Sequence, residues 1–114
     1  MSEVRRGEIW LVDFDPALGH EMKKARPAVI IQNDKGNAYS PMTIIAPITS
    51  QNIDNVYPFE VLLNEMSGLE KTSKVLLSHI RAIDKMRLIK KISKVGDDDI
   101  GKINDAIKIS LGLA

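Results

Sequence analysis

Hydrophobic and polar residues alternate early in the chain and then give way to a charged stretch. From Glu8 to Asp15 the alternation sets Trp10, Val12 and Phe14 on one face and Ile9, Leu11 and Asp13 on the other. That is the period of a strand, and it stops at Pro16. Residues 16–26 hold a glycine, two lysines and an arginine but no apolar stripe, so they read as a surface loop long enough to be functional. Pro27 pushes Arg26 toward extended backbone and opens the apolar run Ala28 to Ile31, a second and buried strand. Asn33-Asp34-Lys35-Gly36-Asn37 is turn chemistry, because Asn, Asp and Gly tolerate positive φ. Met42 to Ser50 is the next strand, with Thr43, Ile45, Pro47 and Thr49 on one face. Pro47 has no N–H to donate to a ladder, which implies an edge or strand-end position there. Phe59 to Leu63 and Lys74 to Ile80 continue the strand pattern, and Arg87 to Val95 alternates weakly in the same way. The last element is helical: Ile100, Ile103, Ile107 and Leu111 recur at helical spacing behind Asp97, Asp98 and Asp99. Asp97 or Asp98 can cap that helix, and the acidic cluster favours the positive end of its dipole. Five or six short strands followed by one amphipathic helix make a small, mostly antiparallel barrel or sandwich closed by the helix.

A chain of 114 residues suits one domain, here residues 1–114, and is too short for two independent cores. With 44% hydrophobic and 27% charged residues the composition is globular rather than disordered or fibrous. There is no cysteine, which excludes a disulfide framework and thiolate metal sites and suits a reducing cytoplasm. The longest apolar runs fall far short of the roughly 20 residues of a membrane span, and the charged start lacks the apolar core of a signal peptide. The net charge of +1 is too small to argue nucleic-acid binding from the total. Its distribution is uneven, with basic segments at Arg5/Arg6, at Lys23, Lys24 and Arg26, and from Lys85 to Lys94.

Familiar catalytic signatures are missing: no HExxH, no GxSxG, no glycine-rich phosphate loop and no zinc-ligand spacing. What remains is a set of groups suited to a phosphodiester handled without a metal, namely Arg26, His20, His79, Thr49, Ser78 and Glu21. Cutting RNA through its own 2′-OH requires taking that proton, stabilising a five-coordinate phosphorus and protonating the leaving 5′-oxygen. An arginine fork matches phosphate oxygens and stays charged throughout. Read alone, Arg26 is as readily a loop-end arginine tied to a surface carboxylate, and Thr49 a β-branched strand residue. His20 and His79 are candidates for an acid/base pair, since histidine as a residue type changes charge near neutral pH; His79 lies in an apolar run where a structural role is commoner, whereas His20 lies in the long loop. Aromatic platforms for single strands are scarce, and Tyr57-Pro58-Phe59 reads more simply as a bend that buries Phe59 than as a base-stacking site.

Residues 6–34, RGEIWLVDFDPALGHEMKKARPAVIIQND, resemble the N-terminal half of the MazF/PemK toxins: an RGEIW strand, a DP turn, a G-x-E loop, then RP leading into an apolar strand. The resemblance continues through Gly36-Asn37, Ile48-Thr49-Ser50, Tyr57 to Val61, Ile80 to Asp84 and the terminal helix. It implies an SH3-like barrel shared with the CcdB class, a homodimer with RNA in a groove at the subunit interface, and a MazE-like antitoxin partner. It also implies metal-independent, cofactor-free cleavage of single-stranded RNA at specific sequences, leaving a 2′,3′-cyclic phosphate and a 5′-hydroxyl. The family's catalytic arginine and threonine fall on Arg26 and Thr49, and Glu21 would line the groove. His20 stands where many members have serine, as it does in the Kid/PemK branch; that branch's later arginine and aspartate fall on Leu76 and Ser78, so its triad does not carry over. The expected site is therefore Arg26, Thr49 and His20 for catalysis, with Glu21, Lys23, Lys24, Ser50, Gln51, Ser78 and His79 contacting RNA. A CcdB-like gyrase inhibitor and a non-catalytic RNA binder are the alternatives on the same fold.

Overall fold

Ile9 is buried against one apolar cluster while its neighbours Trp10, Val12 and Phe14 are buried in another, so the first strand is covered on both faces. The same division runs through the next strands: Val29, Ala46 and Ile48 join Ile9, whereas Ala28, Ile30 and Ile45 join Trp10. Alternation reports which residues share a face, and a helix packed on the Ile9 side explains why Ile9 is buried as well. The computed structural model describes residues 3–14, 25–64 and 67–114. His20, Glu21, Lys23 and Lys24 lie outside the described residues.

In chain order the elements are β1 (Glu8–Asp13), β2 (Ala25–Ile30), α1 (Asp34–Tyr39), β3 (Met42–Thr49), β4 (Glu60–Leu62), β5 (Lys74–Leu76), β6 (Arg81–Asp84), β7 (Leu88–Lys94) and α2 (Asp97–Ser110). All strand pairs are antiparallel, in the order β4-β5-β3-β2-β1-β7, with β6 also paired to β3. This is the mainly β architecture with a C-terminal helix that the hydrophobic pattern implies. α2 packs Ile103 and Ala106 into the Ile9 cluster, with Ile100 and Ile107 at its margin.

Three local expectations are corrected, and a fourth, for Pro47, is narrowed to the first of its two alternatives, an edge. Residues 33–37 open a six-residue helix rather than a turn, because the Asn33 side chain accepts the Gly36 N–H at 2.7 Å as an N-cap. The cap of α2 is Gly96, with no side-chain cap bond; Asp99 is instead buried at 1% exposure and accepts the Asn64 N–H. The apolar run from Lys74 to Ile80 divides into β5 and a 3-10 turn at Leu77–His79, with β6 following as a separate strand that pairs with Met42–Ile45 of β3. Pro47 lies inside a strand, not at its end. It falls between the part of β3 paired with β6 (Met42–Ile45) and the part paired with β5 (Ile48 and Thr49), so β3 has a local edge there and the missing donor is tolerated.

Two polar clusters fix the start of β1. Glu8 is buried and accepts hydrogen bonds from the Arg5 N–H at 2.9 Å and the Trp10 indole N–H at 3.0 Å, while Lys91 pairs with it at 2.9 Å. Burial alone would raise its pKa, but the hydrogen bonds from Lys91, Trp10 and Arg5 outweigh that and hold it below the ordinary 4.5. Arg6 donates to the Ile31 carbonyl at 2.8 Å and to Asn104 of α2 at 2.7 Å, and its N–H reaches Asp34 of α1. Gly7 between them has φ +90, and a Cβ there would stand 3.0 Å from Ile100, so both backbone and space call for glycine.

Candidate active-site groove

The β2–β3 ladder pairs Ile30 with Ile45, Val29 with Ala46 and Ala28 with Pro47. The pairing ends there, and Arg26 and Thr49 each lie two residues beyond its last pair, on β2 and β3. Arg26 is held by its pairing with Val12 of β1 and Thr49 by its pairing with Lys74 of β5. Their relative placement is therefore fixed by backbone ladders rather than by loops.

Arg26 and Thr49 together line two adjoining grooves. The first, about 430 Å³, continues over Gln51, Tyr57, Glu60, Lys74 and His79. The second, about 490 Å³, continues over Leu11, Ser50, Lys71, Ser73 and Lys90. Taken as one trough, it is divided near its middle by the arginine and the threonine.

The half-buried Arg26 has no hydrogen-bond or ion-pair partner among the described residues, which leaves its planar donors for a ligand. Thr49 is 9% exposed, and its Oγ1 accepts the Gln51 N–H at 3.1 Å. With an acceptor site filled in this way, the hydroxyl proton is free to be donated to an anion. Lys71 and Lys90 are exposed and without ion-pair partners among the described residues, opposed in the second groove by Glu70 alone. The second groove is thus the more cationic. In the first, the Lys74 charge is consumed internally: Lys74 Nζ pairs with Glu60 at 2.7 Å, both side chains under one-tenth exposed.

Of the residues singled out from the sequence, Arg26, Thr49, Gln51 and His79 meet in the first groove, and Ser50 lines the second. His79 is corrected in one respect: it is exposed on the 3-10 turn after β5 rather than held in a strand, and Ser78 Oγ lies 3.0 Å from its Nδ1. Ser78 does not itself line the groove and reaches it only through His79. Leu76 is 8% exposed and presents an apolar wall to the first groove. Lys74, Glu60, Lys71 and Lys90 were not singled out. A lysine opening the apolar run Lys74-Val75-Leu76-Leu77 was a usable signal, since a buried strand tolerates a charge only when it is paired; Lys90 lies within the basic segment from Lys85 to Lys94, and the exposed Lys71 carried no signal. Among the described residues no three His, Cys, Asp or Glu side chains gather as a metal site, and no helix is long and apolar enough to cross a membrane.

Comparison with known proteins places these features in a set. Residues 5–111 match the family model for the PemK-like, MazF-like toxin of type II toxin-antitoxin systems. The chain is 40% identical over 111 residues to endoribonuclease EndoA of Bacillus subtilis (strain 168), covering 96% of both. Its fold matches a crystal structure of MazF from Deinococcus radiodurans, with TM-score 0.84, 26% identity and coverage of 98% and 99% of the two chains. A mycobacterial endoribonuclease solved with its cognate antitoxin matches with TM-score 0.83 at 22% identity, covering 97% of each chain.

Proposed function

The chain belongs to the PemK-like, MazF-like family of toxins of type II toxin-antitoxin systems, and from that premise we propose that it is an endoribonuclease that cuts single-stranded RNA laid along the trough divided by Arg26 and Thr49. The observation that carries this reading is that Arg26, with no partner among the described residues, and Thr49, whose Oγ1 accepts the Gln51 N–H, line the same two grooves.

Cleavage proceeds through the RNA's own 2′-OH. The 2′-oxygen loses its proton and bonds to phosphorus, the P–O5′ bond breaks, and O5′ takes up a proton, leaving a 2′,3′-cyclic phosphate and a 5′-hydroxyl. No metal is needed, because the charge that develops on the non-bridging oxygens is met by fixed donors. Arg26 supplies two in a fork and Thr49 Oγ1–H supplies a third. His20 is assigned to proton exchange at the same phosphate, and Glu21 to the groove wall. Lys71 and Lys90, together with Lys23 and Lys24, attract the phosphate backbone; Ser50, Gln51, Ser78 and His79 contact the nucleotides beside the cut. The protein works as a homodimer and is held in check by a MazE-like antitoxin, as the antitoxin complexes of its mycobacterial and Deinococcus relatives suggest. Its compartment is the cytoplasm, where messenger RNA is translated.

The test is incubation with a long unstructured RNA in EDTA, with 5′ ends mapped and Arg26→Ala and Thr49→Ala run alongside. Discrete cuts bearing 5′-hydroxyl ends and lost in both variants are expected. Cuts undiminished in Arg26→Ala would remove the assigned mechanism, and intact RNA would move the reading to gyrase inhibition or non-catalytic binding.

A further inference from the structure

The first groove ends on an aromatic ring that the phosphodiester chemistry does not use. Tyr57 is 55% exposed and lines this groove with Arg26, Thr49 and His79. Behind it Phe59 lies parallel, with ring centroids 5.5 Å apart and 6° between planes. An exposed aromatic on a free loop would lose much of its contact energy to ordering, but this loop is already ordered from below. The Tyr57 N–H donates to Glu60 Oε1 at 3.1 Å, and the Tyr57 carbonyl accepts the Glu60 N–H at 2.8 Å. Lys74 Nζ donates to the same Glu60 oxygen at 2.7 Å and to the Asn55 carbonyl at 2.7 Å, while standing 6.0 Å from the tyrosine ring. A buried ion pair thus grips the segment at Asn55, Tyr57 and Glu60. A pre-placed, solvated ring beside a phosphate-binding pair matches the way single-stranded nucleic acid is held, with bases stacked on aromatic faces and phosphates on cations.

We propose that Tyr57 is a base-stacking platform, held by the Lys74–Glu60 pair and backed by Phe59, that receives a base flanking the cleaved bond and so helps to set where the RNA is cut. This rests on the endoribonuclease reading above and adds to it the residue that seats a nucleobase.

The experiment uses a short RNA spanning one mapped cleavage site and a set of copies, each with one flanking nucleotide made abasic. Wild type, Tyr57→Ala and Tyr57→Phe are compared in EDTA. Tyr57→Ala is expected to lose about tenfold in kcat/KM on the intact RNA, the size of one base–aromatic stack expressed as a rate ratio. Tyr57→Phe is expected to restore most of that loss. One abasic position should cost wild type the same tenfold and cost Tyr57→Ala nothing more, a coupling that a merely structural role does not produce. Equal rates for wild type and Tyr57→Ala, or equal abasic penalties in both, would overturn the proposal. A second readout is independent of cutting: 2-aminopurine at the stacked position should be quenched on binding to the wild-type or Arg26→Ala protein, and not to the same proteins carrying Tyr57→Ala. If no RNA is cut by the wild type, the ribonuclease reading fails, and quenching that depends on Tyr57 still decides the stacking; quenching that survives Tyr57→Ala sinks it.

Discussion

Arg26 and Glu8, on neighbouring strands, use a charged side chain in opposite ways. Arg26 is left unpartnered among the described residues beside Thr49, so its charge serves whatever enters the trough. Removing it should lower kcat by about 10²- to 10³-fold, the usual cost of deleting one pre-placed donor at a developing negative charge, while the melting temperature stays near that of wild type. Arg26→Lys should recover little, because a point charge does not reproduce the fork. Single-turnover cleavage rates in EDTA measure both. Glu8 is fully engaged, and its charge serves the fold. Its folded-state pKa is depressed, so the stability it contributes is present above its unfolded value near 4.5 and is lost as pH falls through the lower folded value. Denaturant melts of wild type and Glu8→Gln should therefore differ most near neutral pH and converge as pH falls through that lower value. A difference that persisted or grew in acid would contradict this assignment.

At the scale of elements, the Lys74–Glu60 pair is the joint between β5 and the segment before β4. Lys74→Met leaves a buried carboxylate alone and should cost about 3–5 kcal/mol in stability, whereas replacing both residues with apolar ones of similar volume should recover most of it. Urea titrations of the two single variants and the double variant test this. The docking of α2 rests on Ile103, 1% exposed, and Ile103→Ala should cost about 2–5 kcal/mol by leaving a cavity against Ile9 and Val29. Alternation made β1, β3 and, more weakly, β7 legible, an unbroken apolar run behind Pro27 did so for β2, and helical spacing did so for α2. Two kinds of feature were not legible. The α1 helix depends on one side-chain cap at Asn33, and the same Asn-Asp-Gly composition serves a turn equally well. The two-sided pairing of β3, which sets Thr49 against Lys74 and accommodates Pro47, depends on strands far along the chain. Arg26 and Thr49 could be named from the family pattern; the grip on Tyr57 could not, since it joins residues 55, 57, 60 and 74 through contacts that only the folded chain brings together.

At the scale of the whole molecule, the trough is asymmetric in charge: Lys71 and Lys90 stand on one side of the Arg26–Thr49 divide, and an internally neutralised pair stands on the other. Binding of an RNA blocked by 2′-deoxy substitution at the cut should weaken with salt, by about 0.7 in the log–log slope for each phosphate neutralised. Lys71→Gln with Lys90→Gln should reduce that slope by about 1.4 and leave the position of the cut unchanged. A slope equal to wild type would mean that the backbone does not cross this face. The strand pairings that hold Arg26 on β2 and Thr49 on β3 have one more consequence. In the proposed mechanism the groups that break the bond belong to the sheet, whereas Gln51, Asn55 and Tyr57 sit on the connection between β3 and β4, whose exposed side chains can change without altering the strands. Cutting and reading are then separately heritable: descendants can drift to new target sequences by rewriting one connection, and the chemistry travels with them unaltered.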